Sequence, residues 1–85
     1  MRYPMPAITY YVAIPFIPDA EGNLSPGEAE EAPSAASAVR RAIAMADKHD
    51  GAIAFQRIGE PDIGEFKDAV ILGKFGKTPD DLSEL

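Results

Sequence analysis

SAASAVRRAIAMADKHDGAIAFQRI, residues Ser34 to Ile58, decides how this chain is read. Ala35, Ala38, Val39, Ala42, Ile43 and Ala46 recur at three- and four-residue steps, which gathers them on one stripe of a 3.6-residue helix. Ser37, Arg40, Arg41, Asp47 and Lys48 take the other side. Ser34 is the expected cap, because its hydroxyl can accept a hydrogen bond from an orphan amide of the first turn. Pro33 biases Ala32 toward extended backbone, so the helix should not start earlier. Gly51 is the expected stop, free to adopt the left-handed conformation that ends helices. A stripe made mostly of alanine lets the helix lie close to its support but brings little area of its own. The sheet beneath is therefore expected to supply the large side chains.

Upstream, Ala7 to Ile14 is rich in β-branched and aromatic residues and reads as a strand ended or bent by Pro15 and Pro18. Ile8, Tyr10, Val12 and Ile14 alternate with Thr9, Tyr11 and Ala13. Asp19 to Asn23 reads as a turn, and Gly27 to Ala32 as either a short edge strand or a polar loop. Downstream, Ala52 to Ile58 is a strand, Pro61-Asp62 followed by Gly64 suits a hairpin turn with a left-handed glycine, and Phe66 to Lys74 returns. Ala69 to Leu72 is apolar on both faces and is expected at a central position. Lys77 to Leu85 is expected as a short turn or a frayed tail.

These pieces give an α+β fold, β-(β)-α-β-β, with a small three- to four-stranded, mostly antiparallel sheet and one helix on one face. A right-handed crossover would set the first strand parallel to Ala52–Ile58, with the last strand between them. Tyr10, Val12, Ile14, Ile53, Phe55, Val70 and Leu72 would then meet the helix. The uncovered face would show Tyr11, Ala13, Ala52, Ala54, Ala69, Ile71 and Phe75.

The chain has 85 residues, which suits one domain over 1–85, with 19–33 an acidic loop or edge strand and 78–85 a tail. A chain of this size buries roughly 60–65% of its unfolded surface. At 46% hydrophobic it lies well above the disordered regime. It has no cysteine, which excludes disulfides, thiolate metal sites and cysteine nucleophiles. A net charge of −6 disfavours nucleic acid and anionic membrane, both of which are bound largely through Lys and Arg. The apolar run in Met1–Pro18 is interrupted by Pro4, Pro6, Pro15 and Pro18, so it reads as a strand and not a signal peptide. Cytoplasmic localisation is the expectation.

From Gly51 the residues Ala52, Phe55, Arg57, Gly59, Pro61-Asp62, Gly64-Glu65-Phe66, Asp68-Ala69, Leu72, Phe75-Gly76 and Pro79 resemble a group of small bacterial proteins in which an alanine-rich helix precedes the same hairpin. The resemblance spans roughly residues 24 to 81, rests on turn and core positions, and implies fold without any activity. The layout also resembles HicB-like antitoxin domains, from which the hairpin after the helix departs.

Five motifs invite chemistry and are set aside. Gly73-Lys74-Phe75-Gly76-Lys77-Thr78 ends like a phosphate-binding loop, but the first glycine of that pattern falls on Ile71, and Pro79 follows where a helix must open. Asp19, Glu21, Asn23, Ser25 and Glu30 match calcium-loop positions, yet Leu24 stands where the sharp turn needs glycine. The single histidine, His49, lacks a nucleophile and an orienting group and suits a helix end. Arg40 and Arg41 could clamp an anion or meet Glu28, Glu30 and Glu31. Glu60, Asp62 and Glu65 crowd a turn too exposed to raise a carboxyl pKa.

No catalytic, cofactor or metal residue is therefore assigned. The expected role is a non-enzymatic protein-interaction domain that self-associates as a dimer through the open sheet face, with Tyr11, Ala13, Ala54, Ile71, Phe75, Arg40 and Arg41 as its surface. The alternative is an antitoxin-like or regulatory binder of a basic protein through the acidic loop, and a small enzyme or ligand carrier comes third.

Overall fold

A computed structural model describes residues 7–60 and 64–79. The helix α1, Ala35–Lys48, starts where expected, with the Ser37 amide donating to Ser34 Oγ at 3.1 Å. Ser34→Ala should lower stability by about 1 kcal/mol in urea melts; a change near zero would show the cap to be idle.

Its buried residues are Ala38, Ala42 and Met45, with Val39 and Ala46 packed beside them. Ile43, assigned to the stripe from sequence, is instead 46% exposed, and Met45 takes the inward position. A stripe one position over gives the same three- and four-residue steps, so spacing alone does not separate the two. The stop also differs. His49 is the C-cap in extended backbone, with its amide bonded to the Met45 carbonyl at 2.8 Å, and Gly51 has no positive φ.

Among the described residues the sheet has six strands: β1 Ile8–Pro18, β2 Leu24–Pro26, β3 Glu30–Ala32, β4 Gly51–Glu60, β5 Glu65–Phe66 and β6 Val70–Gly76. Every pairing among them is antiparallel. The fold is thus α+β, one helix on a mostly antiparallel sheet, but the order of strands differs from the expectation. β1 lies antiparallel beside β4, with nothing between them, and β6 lies on the far side of β4. The cause is β3, which reverses the chain along β1 before the helix begins. The crossover therefore joins β3 to β4, which run the same way, and passes over β1. β6 consequently forms an edge, with Val70 55% and Ile71 36% exposed, although its apolar run suggested an interior place.

β1 also runs through Pro15 to Pro18 without breaking. Pro15 falls where β1's outer pairing changes hands, since β3 pairs Tyr11–Ala13 and β2 pairs Phe16–Pro18. Its carbonyl accepts the Gly27 amide at 2.8 Å. The Asp19 turn between β1 and β2 is held by the Asp19 carboxylate, which accepts from the amides of Glu21 and Asn23 at 2.9 and 3.0 Å. The remaining sequence-expected turns lie partly outside the described residues: Pro61-Asp62, with Gly64 at φ 69 just beyond them, and the tail from 80 onward.

In β1 and β4 the two faces are the reverse of the expectation, whereas Leu72 of β6 meets the helix and Ile71 and Ala69 lie on the other side, as expected. Under the helix run the rows Ala13–Ala54–Gly73 and Pro15–Ala52–Phe75. Ala13, Ala52 and Ala54 are fully buried there, together with Ala38 and Ala42 of the helix. Tyr11, Leu72 and Phe75 pack around this seat. Alanine against alanine lets helix and sheet backbones approach, and the larger groups close the margins; the bulky faces of β1 and β4 then turn away. A bulge at Leu72 shifts the alternation beyond it, so that Phe75 as well as Leu72 lies on the helix side while Ile71 stays opposite Phe55. On the other side Phe16, Ile53 and Phe55 form a second buried cluster, partly roofed by Leu24 and Ala69.

Candidate functional site

Side chains directly opposite in an antiparallel ladder share a face. The helix-free face therefore reads as rows: Ile8–Gly59–Phe66, Tyr10–Arg57, Glu31–Val12–Phe55–Ile71 and Ile14–Ile53–Lys74. At the Ile53 end Leu24 and Ala69 pack over it. At the Tyr10 end it is open, with a shallow depression of about 500 Å³ lined by Tyr10, Val12, Glu31, Phe55, Arg57 and Phe66.

The open end is shaped by aromatic rings over a glycine. Phe66 lies on Gly59, where a Cβ would strike its ring, and its centroid is 6.3 Å from that of Tyr10. Only a glycine at this point of β4 lets the ring fold down across the strand. Phe66 nonetheless stays 56% exposed, with Ile8 37% exposed in the same row. The Arg57 guanidinium sits 5.9 Å from the centroid of the Phe55 ring, within cation–π range. Arg57 and Glu31 are the charged groups of this depression, one of each sign. The patch is therefore close to neutral in a chain of net charge −6.

Of the residues assigned to the surface from sequence, four lie elsewhere. Tyr11, Ala13, Ala54 and Phe75 are beneath the helix, because the small residues of the sheet and not the large ones form its seat. Ile71 faces outward opposite Phe55, at the edge of the open face. Arg40 is exposed on the helix. Arg41 reaches back to β3, donating from Nη1 to the Glu31 carbonyl at 2.9 Å and standing 3.7 Å from the Glu30 carboxylate. The pair is more than 40% exposed on both sides, so its main effect is to tie the helix to the edge of the sheet.

No match to this chain is found among family models, curated proteins or solved structures. The resemblance read over residues 24 to 81 thus gains no support and carries no function.

The motifs that suggested chemistry stay apart. Gly73 to Gly76 is strand, and Gly76 turns at φ 70 toward a bend at Lys77. Asp19 spends its carboxylate on its own turn. A groove of about 460 Å³ does bring His49 near Glu28 and Glu30, lined also by Pro15, Ile17 and Met45. Among the described residues, however, no group of three or more His, Asp or Glu could hold a metal ion. Glu60 and Glu65 face each other across the β4–β5 ladder, and Asp62 lies outside the described residues. No helix of the described residues is long and apolar enough to cross a membrane.

Tyr10, Phe55, Arg57 and Phe66 were missed from sequence. The signal available was size: in both β1 and β4 one face is alanine-rich and the other bulky, and an alanine stripe packs closest on the former.

Proposed function

We propose that this protein is a small non-enzymatic interaction domain that self-associates through the side of its sheet left uncovered by the helix. One observation carries the reading. Large apolar side chains remain exposed there in two rows, Ile8 and Phe66 in one and Ile71 in another, on either side of the Tyr10–Arg57 row and around a shallow depression lined by Tyr10, Val12 and Phe55. Contiguous apolar surface on a small domain commonly marks an interface. The near-neutral charge of the patch spares two copies the repulsion that their net charge would otherwise bring. A shallow, open depression with one cation and one anion suits a protein surface better than an enclosed ligand site.

Light scattering at micromolar concentration is expected to find a dimer. Ile71→Lys should stay folded, since the side chain is outward, and elute as a monomer because a desolvated charge would sit within the contact. A wild-type chain that scatters as a monomer would overturn the reading.

An acidic-surface reading takes second place. Between Asp19 and Val39 the only charged residues are Asp19, Glu21, Glu28, Glu30 and Glu31, all exposed. A basic protein partner would meet that edge, and charge reversal at Glu21 and Glu28, which lie outside the open-face depression, should then abolish capture of a polylysine probe while the dimer persists.

A further inference from the structure

The open depression holds one cation and one anion, and the ladder fixes where they stand. β1 and β4 pair without a break from Ile8–Gly59 to Phe16–Gly51, and β3 pairs regularly with β1 from Tyr11–Ala32 to Ala13–Glu30. Glu31 of β3 is therefore level with Val12, and Arg57 of β4 is level with Tyr10, with β1 between them. That is two strand spacings across, about 10 Å, and one two-residue step along, about 7 Å. Both side chains line the depression. Arg41 steadies the short strand β3 by holding the Glu31 carbonyl at 2.9 Å, and the Arg57 guanidinium lies over the Phe55 ring. The third charge of this face, Lys74, stands at its roofed end, beyond the depression.

A two-fold contact between two copies of this face sets each residue against itself on the axis or against another residue off it. An axis through Arg57 would bring two guanidiniums together, and one through Glu31 two carboxylates. An axis remote from both would bury each charge against apolar groups. From these positions we infer that two copies meet face to face with Arg57 of each against Glu31 of the other, two such pairs per dimer. The axis then lies between the two sheets and crosses β1 between Tyr10 and Val12, midway from Glu31 to Arg57. Tyr10, Val12 and Phe55 come close to their own counterparts at the centre, and Ile71 follows along the row of Phe55. Ile8 and Phe66 lie one row further out, at the margin. A guanidinium has five N–H donors in a fixed fork, so Arg57 can serve the second copy's carboxylate while keeping the contacts of its own chain.

The inference rests on the self-association proposed above and adds the pair that gives it direction. A patch close to neutral as a whole selects its own copy through two charges of opposite sign.

Sedimentation velocity across the micromolar range tests it, on chains whose fold is checked by circular dichroism. Glu31→Arg and Arg57→Glu, made singly, each set like charges in contact twice and should raise the dimer Kd about tenfold or more. Mixed in equal amounts, the two variants should restore the dimer, since one copy then brings two carboxylates and the other two guanidiniums. A Glu31–Arg57 contact inside one chain would be repaired by the double variant and not by the mixture, so mixing separates the two cases. Should Arg57→Glu not fold, Arg57→Gln takes its place, and its mixture with Glu31→Arg should dimerise more tightly than either alone. A wild-type dimer that Ile71→Lys breaks and both reversals leave intact would overturn the charge pairing while association through the face stands. Reversals that weaken the dimer without rescue on mixing would overturn the pairing too. A wild type that is monomeric throughout would overturn both this inference and the reading beneath it.

Discussion

Gly51→Ala is expected to lower the stability of the fold by about 3 kcal/mol or more, the largest loss from a single added methyl. Gly51 opens β4 directly after the helix, level with Phe16 on one side and Gly76 on the other. A Cβ built there would run into the Lys77 carbonyl oxygen, with the Lys77 carbonyl carbon at 2.6 Å and its nitrogen at 2.8 Å. These are backbone atoms, so no side chain can swing away to make room. The Lys77 amide is itself bonded to the Asp50 carbonyl at 2.9 Å, which holds the two segments together. Relief would require the end of β6 to part from β4. Gly64→Ala supplies the contrast, since that glycine has φ 69 with nothing within 4 Å of its Cβ and should cost only the left-handed backbone term of about 1–2 kcal/mol. Guanidinium melts of both variants decide the matter. A Gly51→Ala loss no greater than that of Gly64→Ala would mean that the Lys77 segment moves freely.

That glycine also shows where sequence reading reaches its end. Its presence after the helix is plain, and the stop it suggests is real within two residues. Its purpose is a close approach between residues 51 and 77, which no local pattern encodes. The cap at Ser34, the helix, β4 and the return of β6 were legible because each depends on neighbours in the chain. Strand order was not, because it turned on β2 and β3, pieces of three residues each that hold too few side chains to show a period. The choice of face failed for a different reason. Alternation in β1 and β4 sorts their side chains into two sets without saying which set lies under the helix. Expecting bulk beneath an alanine stripe put Tyr11, Ala13, Ala54 and Phe75 on the surface. Ile71 was placed outward, and the structure has it there; the bulge at Leu72 is what carries Phe75 to the helix side, where regular alternation would have kept it on the face of Ile71.

Ala42→Leu should carry the second-largest penalty, about 3 kcal/mol, because small residues on both sides leave the seat no slack. Ala42 is fully buried in the cluster of Ala38, Met45, Ala13, Ala52 and Ala54. The row below it, Ala13–Ala54–Gly73, joins three of the smallest residues across three strands. Three added heavy atoms would therefore push the helix off the sheet or force Met45, Leu72 and Phe75 outward from the margins of the seat. Either movement exposes apolar surface, at about 25 cal/mol per Å². Ile43 is the matched control, one position along the same helix and 46% exposed. Ile43→Ala should shift the urea midpoint only slightly, whereas on the stripe as read from spacing alone it would empty a buried site at a cost of about 2–5 kcal/mol. Equal losses at the two positions would mean that the helix faces the sheet through a different stripe from Ala38, Ala42 and Met45. A negligible loss at Ala42 would mean that helix and sheet are not in close contact.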